Sequence, residues 1–98
     1  MTVIKYKERF RKRTIEIKGH TGAGKIGEDL VCAGVSALLI TLIAALETND
    51  IKFSSQVKDG YGRVSSLSPD AKAAFNTVMC GYNALSLLYP EHITTTMG

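Results

Sequence analysis

His20 stands twelve positions ahead of Cys32, with a glycine-rich stretch and two acids, Glu28 and Asp29, between them. A thiol and an imidazole suit covalent catalysis, in which the ring takes the thiol proton and the thiolate attacks a carbonyl carbon. Cys32 follows Asp29 by three residues. With Asp29 as cap of a helix, Cys32 falls in the first turn, where free N–H groups and the positive end of the dipole favour thiolate. His20 would leave a strand across a loop, close enough for its ring to meet the sulfur, and one of the two acids could orient that ring. On spacing alone the plainer reading is the stronger: a cysteine near the start of an apolar helix is ordinarily a small buried hydrophobe.

A phosphate loop competes for the same stretch. Gly19, Gly24 and Lys25 match the first seven positions of that pattern. Ile26 stands where a magnesium-binding hydroxyl is required, and Glu28 and Asp29 put negative charge where a phosphate would lie. No later strand ends in a magnesium-binding aspartate, so this reading is set aside. Ser36 lies one turn after Cys32, either beside the site or back-bonded to the Cys32 carbonyl. Cys80, between Met79 and Gly81, reads as a core or groove residue, and His92 as solvent-exposed. The two cysteines lack metal-site spacing and are too few for a disulfide framework.

The elements that must position these residues follow from periodicity. Residues 2–8 alternate as a strand, and Thr14 to Lys18 alternate as a second, joined by the charged turn 9–13. Residues 19–27 hold four glycines in nine positions, a loop of high conformational freedom. Leu30 to Leu46 is almost wholly apolar. Its acidic flanks, and the absence of Lys/Arg anchors or an aromatic belt beside it, argue against a membrane span. As a soluble helix it needs cover from a sheet, from a second helix and from a second copy of the chain, which predicts a homodimer. Residues 51–58 and 63–67 read as strands joined by Asp59–Gly62. Ser68, Pro69 and Asp70 open a second helix, with Ser68 as N-cap and Pro90 ending it. The tail from His92 is an edge strand or loose. The order is ββαββα: an α+β, two-layer sandwich with an antiparallel sheet, in a single domain over residues 1–98.

The chain has 98 residues, 45% apolar and 21% charged, which suits one folded domain and excludes a disordered chain. Charge is uneven. Residues 1–27 carry eight Lys/Arg against Glu8 and Glu16, a balance of +6, and the remainder four against seven acids, a balance of −3. The basic third could face nucleic acid, or simply be a solvated hairpin whose lysines guard an edge. No aromatic stacking platform accompanies it, so nucleic acid is not the expected partner. The N-terminus lacks a signal-peptide pattern, and a cytoplasmic protein with free thiols is expected.

Gly19-His20, eleven residues, then Cys32 within Glu28-Asp29-Leu30-Val31-Cys32-Ala33-Gly34-Val35-Ser36-Ala37 resembles the ribosomal-processing cysteine protease family, Prp. That family pairs a Gly-His-Ala at a strand end with a glycine-rich loop and an Asp-Ile-Val-Cys-Ala helix start. Thr21 and Leu30 are mild departures, and Lys25 is unusual for the loop. The whole length and element order are also similar. The resemblance implies a homodimeric cysteine endopeptidase that removes the N-terminal extension of a large-subunit ribosomal protein, number twenty-seven. It implies Cys32 as nucleophile, His20 as general base, and Asp29 as a capping or site-supporting residue. Gly22, Gly24 and Gly27 would belong to a mobile loop closing over the substrate. It implies no metal or organic cofactor. The alternative is a non-catalytic dimeric ribosome- or RNA-binding module of the same fold.

Overall fold

Alternating apolar residues build the first hairpin, β1 (Thr2–Arg9) and β2 (Lys12–Lys18). Ile4, Tyr6, Ile15 and Ile17 are buried, while Lys5, Lys7, Glu16 and Lys18 occupy the other face. The two-residue turn between them holds Phe10 and Arg11 at φ 52 and 69, the left-handed pair whose twist suits a tight hairpin. A computed structural model describes residues 1–19 and 26–98, with the side chains of 1–19 and 33–98. Beyond β2 the elements are α1 (Ile26–Thr48), β3 (Ser54–Lys58), β4 (Tyr61–Ser66), α2 (Lys72–Leu88) and β5 (Ile93–Met97).

The expected ββαββα order is present, and the fold is α+β. The sheet is mixed, however, with strand order β3-β4-β2-β1-β5. The expectation of a purely antiparallel sheet is corrected by β5, which pairs in parallel with β1 from Thr2↔Ile93 to Tyr6↔Met97. The cause lies in the helices. α2 runs antiparallel to α1 and so ends where β1 begins, and the tail enters beside β1 in the same direction. Thr2 N–H donates to the His92 carbonyl at 2.8 Å and fixes that entry.

Several boundaries also shift. Ile51 and Phe53 were expected in the third strand but are half-buried loop residues packed against the core. The chain turns at Asp50, φ 57, before β3 begins. Ser68 caps as expected, its hydroxyl accepting from Asp70 N–H at 3.2 Å, but the first turn, Pro69–Ala71, is a 3₁₀ turn leading into α2.

The core lies between one face of the sheet and both helices. Ile4, Ile15 and Val64 of the sheet meet Leu42 and Leu46 of α1 and Phe75 and Tyr82 of α2, all fully buried. Removing the bulk of one such side chain typically costs about 2–5 kcal/mol. Arg13 departs from the expected charged turn. It is 8% exposed, bridges to Glu8 at 3.3 Å and donates to the Ser68 carbonyl at 3.5 Å. Among the described residues, no helix is long and apolar enough to cross a membrane.

Candidate active site

Two chain ends, the exit of β2 and the start of α1, define the place where a thiol–imidazole pair would form. Gly19 closes β2. Its φ is 95, and its N–H donates to the Gly60 carbonyl at 3.0 Å. A Cβ on residue 19 would lie 2.5 Å from the Met1 carbonyl oxygen. Both the torsion and the close approach require glycine there. The chain therefore leaves the sheet between the start of β1 and the β3–β4 turn. His20, Gly22, Gly24 and Lys25 lie outside the described residues.

Four contacts place α1. Gly34 receives Leu85, and Leu38 lies against Gly81, so α1 and α2 run antiparallel at close range. Tyr82 donates its buried hydroxyl to the Val35 carbonyl at 2.9 Å. Burial pushes the Tyr82 pKa well above the usual phenol value, which keeps the hydroxyl a donor. On the sheet side, Leu39 sits over Gly62, where a Cβ would be 2.6 Å from Leu39 Cδ2. α1 thus starts at the end of the sheet where β2 stops, and residues 20–25 join the two.

The helix begins at Ile26, not at a cap on Asp29. Asp29 is its fourth residue and Cys32 its seventh, in the second turn instead of the expected first. Gly27 falls within the first turn of the helix. Glu28 and Asp29 lie in the first turn, as expected, and the helix reaches back through Gly27 to Ile26. Asp29, Cys32 and Ser36 share one side of α1 by their spacings of three and four. The side chains of Asp29 and Cys32 lie outside the described residues; Ser36 is exposed.

Two further expectations change. Cys80 is exposed, because α2 buries Phe75, Val78, Met79 and Tyr82 on the side turned away from it. His92 is half-buried instead of exposed, held where the chain enters β5. Among the described residues, no cluster of His, Cys, Asp or Glu could hold a metal.

Sequence reasoning missed a cavity of about 990 Å³ lined by Asn49, Ile51, Phe53, Ser66, Leu67 and Ala74. It lies at the C-terminal end of α1, about 24 Å along the helix from Cys32 at 1.5 Å per residue. It is therefore remote from the β2 exit. The basic character found in the sequence takes a definite form. Strand pairing puts Lys5, Lys7, Lys18, Lys58 and Arg63 on the sheet face opposite the helices. Glu16 lies among them. Tyr61 donates to it at 2.9 Å and Lys18 bridges it at 3.6 Å. Chiefly the Tyr61 hydrogen bond holds the Glu16 carboxyl below the usual carboxylate range.

The comparisons with known proteins bear on the family and the fold. The family model described as cysteine protease Prp matches residues 1–94. The ribosomal processing cysteine protease Prp of Mycoplasma genitalium is 28% identical over 78 residues, covering 78% of this chain and 79% of that one. The crystal structure of SMU.848 from Streptococcus mutans matches with TM-score 0.85 and 29% identity, covering 99% of this chain and 93% of that one. An essential ribosomal processing protease Prp from S. aureus, in complex with a substrate peptide, matches over 100% of both chains. Its TM-score is 0.87 and its identity 21%, a likeness of fold.

Proposed function

Because the chain belongs to the cysteine protease Prp family and is therefore a cysteine protease, we propose that it removes the N-terminal extension of ribosomal protein number twenty-seven of the large subunit, with Cys32 as nucleophile and His20 as general base. The observation that carries this reading is convergence. Gly19, which precedes His20 in sequence, closes β2 at the end of the sandwich from which α1, carrying Asp29, Cys32 and Ser36, begins. The S. aureus relative of the same fold is described with a substrate peptide bound.

Thiol chemistry then runs in two halves. His20 takes the Cys32 proton, and the thiolate attacks the scissile carbonyl carbon. Backbone N–H groups near the helix start stabilise the oxyanion. The imidazolium gives its proton to the leaving amine, which departs as the C–N bond breaks. Water, deprotonated by His20, attacks the thioester; the new carboxyl product leaves and the thiol is restored. With Cys32 in the second turn, the helix field acts on it less than it would in the first. The ion pair with His20 is then the main stabiliser of thiolate. Asp29 supports the imidazole or the helix start, and Ser36 lines the site. Gly22 and Gly24 stand in the connecting sequence that the family resemblance assigns to the substrate loop, whereas Gly27 belongs to the first turn of α1. The chemistry needs neither metal nor organic cofactor.

The protein works as a homodimer in the cytoplasm, where ribosomal precursors are made. Leu87 and Leu88 support the dimer, being 83% and 71% exposed in the single chain. Incubation with the precursor, read by mass spectrometry, tests the whole reading. The expected result is loss of the extension, abolished by Cys32→Ala and by His20→Ala. A precursor left intact by the wild-type protein overturns it.

The cations of the open sheet face, among them Lys5, Lys7, Lys18, Lys58 and Arg63, favour a second role, contact with ribosomal RNA through phosphates. Binding to a ribosomal RNA fragment should weaken as salt rises, and Lys5→Glu with Lys18→Glu should abolish it. Unchanged binding by that variant removes the face from consideration.

A further inference from the structure

The β3 edge has the hydrogen-bonding pattern of an unfinished sheet. β3 is the outermost strand on its side, and its five residues are all exposed. Lys58 and Tyr61 flank a two-residue turn and so exchange both N–H···O bonds. Alternation makes Gln56/Arg63 and Ser54/Ser65 the other hydrogen-bonded pairs. Ser55 and Val57 therefore turn their N–H and C=O groups outward, away from β4.

The inner side of this edge carries Val57 and Ser55 and lies on the helix side of the sheet. Val57 pairs with Gly62 and Ser55 with Val64, so both share the helix-facing side of the sheet. Val57 is nevertheless 63% exposed. Three successive residues of α1 explain why. Leu38 meets α2 at Gly81, Leu39 meets β4 at Gly62, and Ile40 turns the opposite way from Leu38, toward β3. Ile40 is also 63% exposed. Ile40, Ser36 and Cys32 stand at four-residue spacing along one side of α1. From Ile40 to Cys32 that row is about 12 Å long, the span of three to four extended residues.

We propose that β3 receives the substrate as a sixth strand. An extended peptide pairs with the outward groups of Ser55 and Val57. It rests apolar side chains against Val57 and Ile40 and delivers its scissile bond along the row to Cys32. This rests on the protease reading above. Strand addition supplies affinity through the main chain and selectivity through alternate side chains. The same edge is poorly suited to a second copy of the chain. Two β3 strands paired antiparallel would bring Lys52 and Lys58 of one close to those of the other, with like charges opposed. Lys58 does not block the peptide. Its Nζ lies over the Tyr61 ring at 5.5 Å, on the outer face.

The test uses the full chain, a fluorogenic peptide covering the extension junction, and the variant Val57→Pro. Proline there removes an outward N–H that the β3–β4 ladder does not use, and edge strands tolerate it. KM should rise about ten-fold, with kcat changed by less than about two-fold. Iodoacetamide should alkylate Cys32 at the wild-type rate. In parallel, N-methylation along the peptide should cost affinity at alternate residues only, and this readout does not depend on the variant's folding. Unchanged KM together with N-methyl losses of no two-residue period overturns the proposal. So does a Val57→Pro variant that loses dimer mass while KM stays the same. Absence of cleavage by the wild-type chain overturns the protease reading itself, and strand docking with it.

Discussion

The Tyr82 hydroxyl donates to the Val35 carbonyl across 2.9 Å, and this buried bond ties the middle of α2 to α1 three residues past Cys32. The Val35 carbonyl remains within the helix ladder when the hydroxyl is removed, so no acceptor is orphaned. Tyr82→Phe should therefore cost only about 0.5–1.5 kcal/mol. In a domain of this size, 1 kcal/mol corresponds to a Tm loss of roughly 4–8 °C. Freed from this tie, the start of α1 is held less firmly, and kcat should fall more than KM changes. Thermal unfolding and steady-state kinetics on one preparation check both statements.

Gly19→Ala tests the strand exit. The new Cβ would meet the Met1 carbonyl oxygen at 2.5 Å, at a torsion of φ 95 that L residues rarely adopt. Strain of this kind costs on the order of 1–3 kcal/mol. Urea unfolding should show that loss. Peptide cleavage should fall further than stability does, because the substitution redirects His20. Wild-type cleavage at wild-type stability would remove Gly19 from the account.

The two thiols should differ in role. Cys80 is exposed on the outer side of α2, so Cys80→Ser should leave cleavage unchanged. In that background a single thiol remains, and iodoacetamide should modify Cys32 rapidly even at mildly acidic pH, as a thiolate–imidazolium pair requires. His20→Ala should slow the modification. Equal rates with and without His20 would count against the pair.

Tyr61→Phe addresses the one acid of the open sheet face. Glu16 loses its principal hydrogen bond, so its pKa should rise toward the ordinary glutamate value; NMR titration of the Glu16 carboxyl reads this directly. The sign follows from linkage. A carboxyl with a depressed folded-state pKa contributes stability that is present above its unfolded pKa and lost as pH falls through the folded one. The difference in stability between wild type and Tyr61→Phe should therefore narrow as pH falls below the glutamate range. The Tyr61 phenol is itself raised, first by its bond to Glu16. That contribution is present below the unfolded phenol pKa and lost as pH rises through the folded value.

Much of the architecture was legible because local signals agree with the tertiary result. Ile15 and Ile17 alternate with Thr14, Glu16 and Lys18, and that pattern alone specifies a strand with one buried face. Ser68-Pro69-Asp70 marks the entry to α2 by capping chemistry. The motif joining His20, Asp29 and Cys32 was legible as a resemblance, since the family is carried in residue types and spacing.

What only the folded chain decided depends on contacts distant in sequence. The parallel pairing of β5 with β1 follows from where α2 ends, which is set by packing against α1. The burial of Arg13 depends on Glu8 and Ser68 meeting it, and nothing within its own charged run indicates that. Cys80 reads as a core or groove residue from its neighbours Met79 and Gly81, yet the contact of Gly81 with Leu38 sets the helix so that the thiol faces outward. Periodicity determines which faces exist; the packing of one helix on another determines which of them meets water.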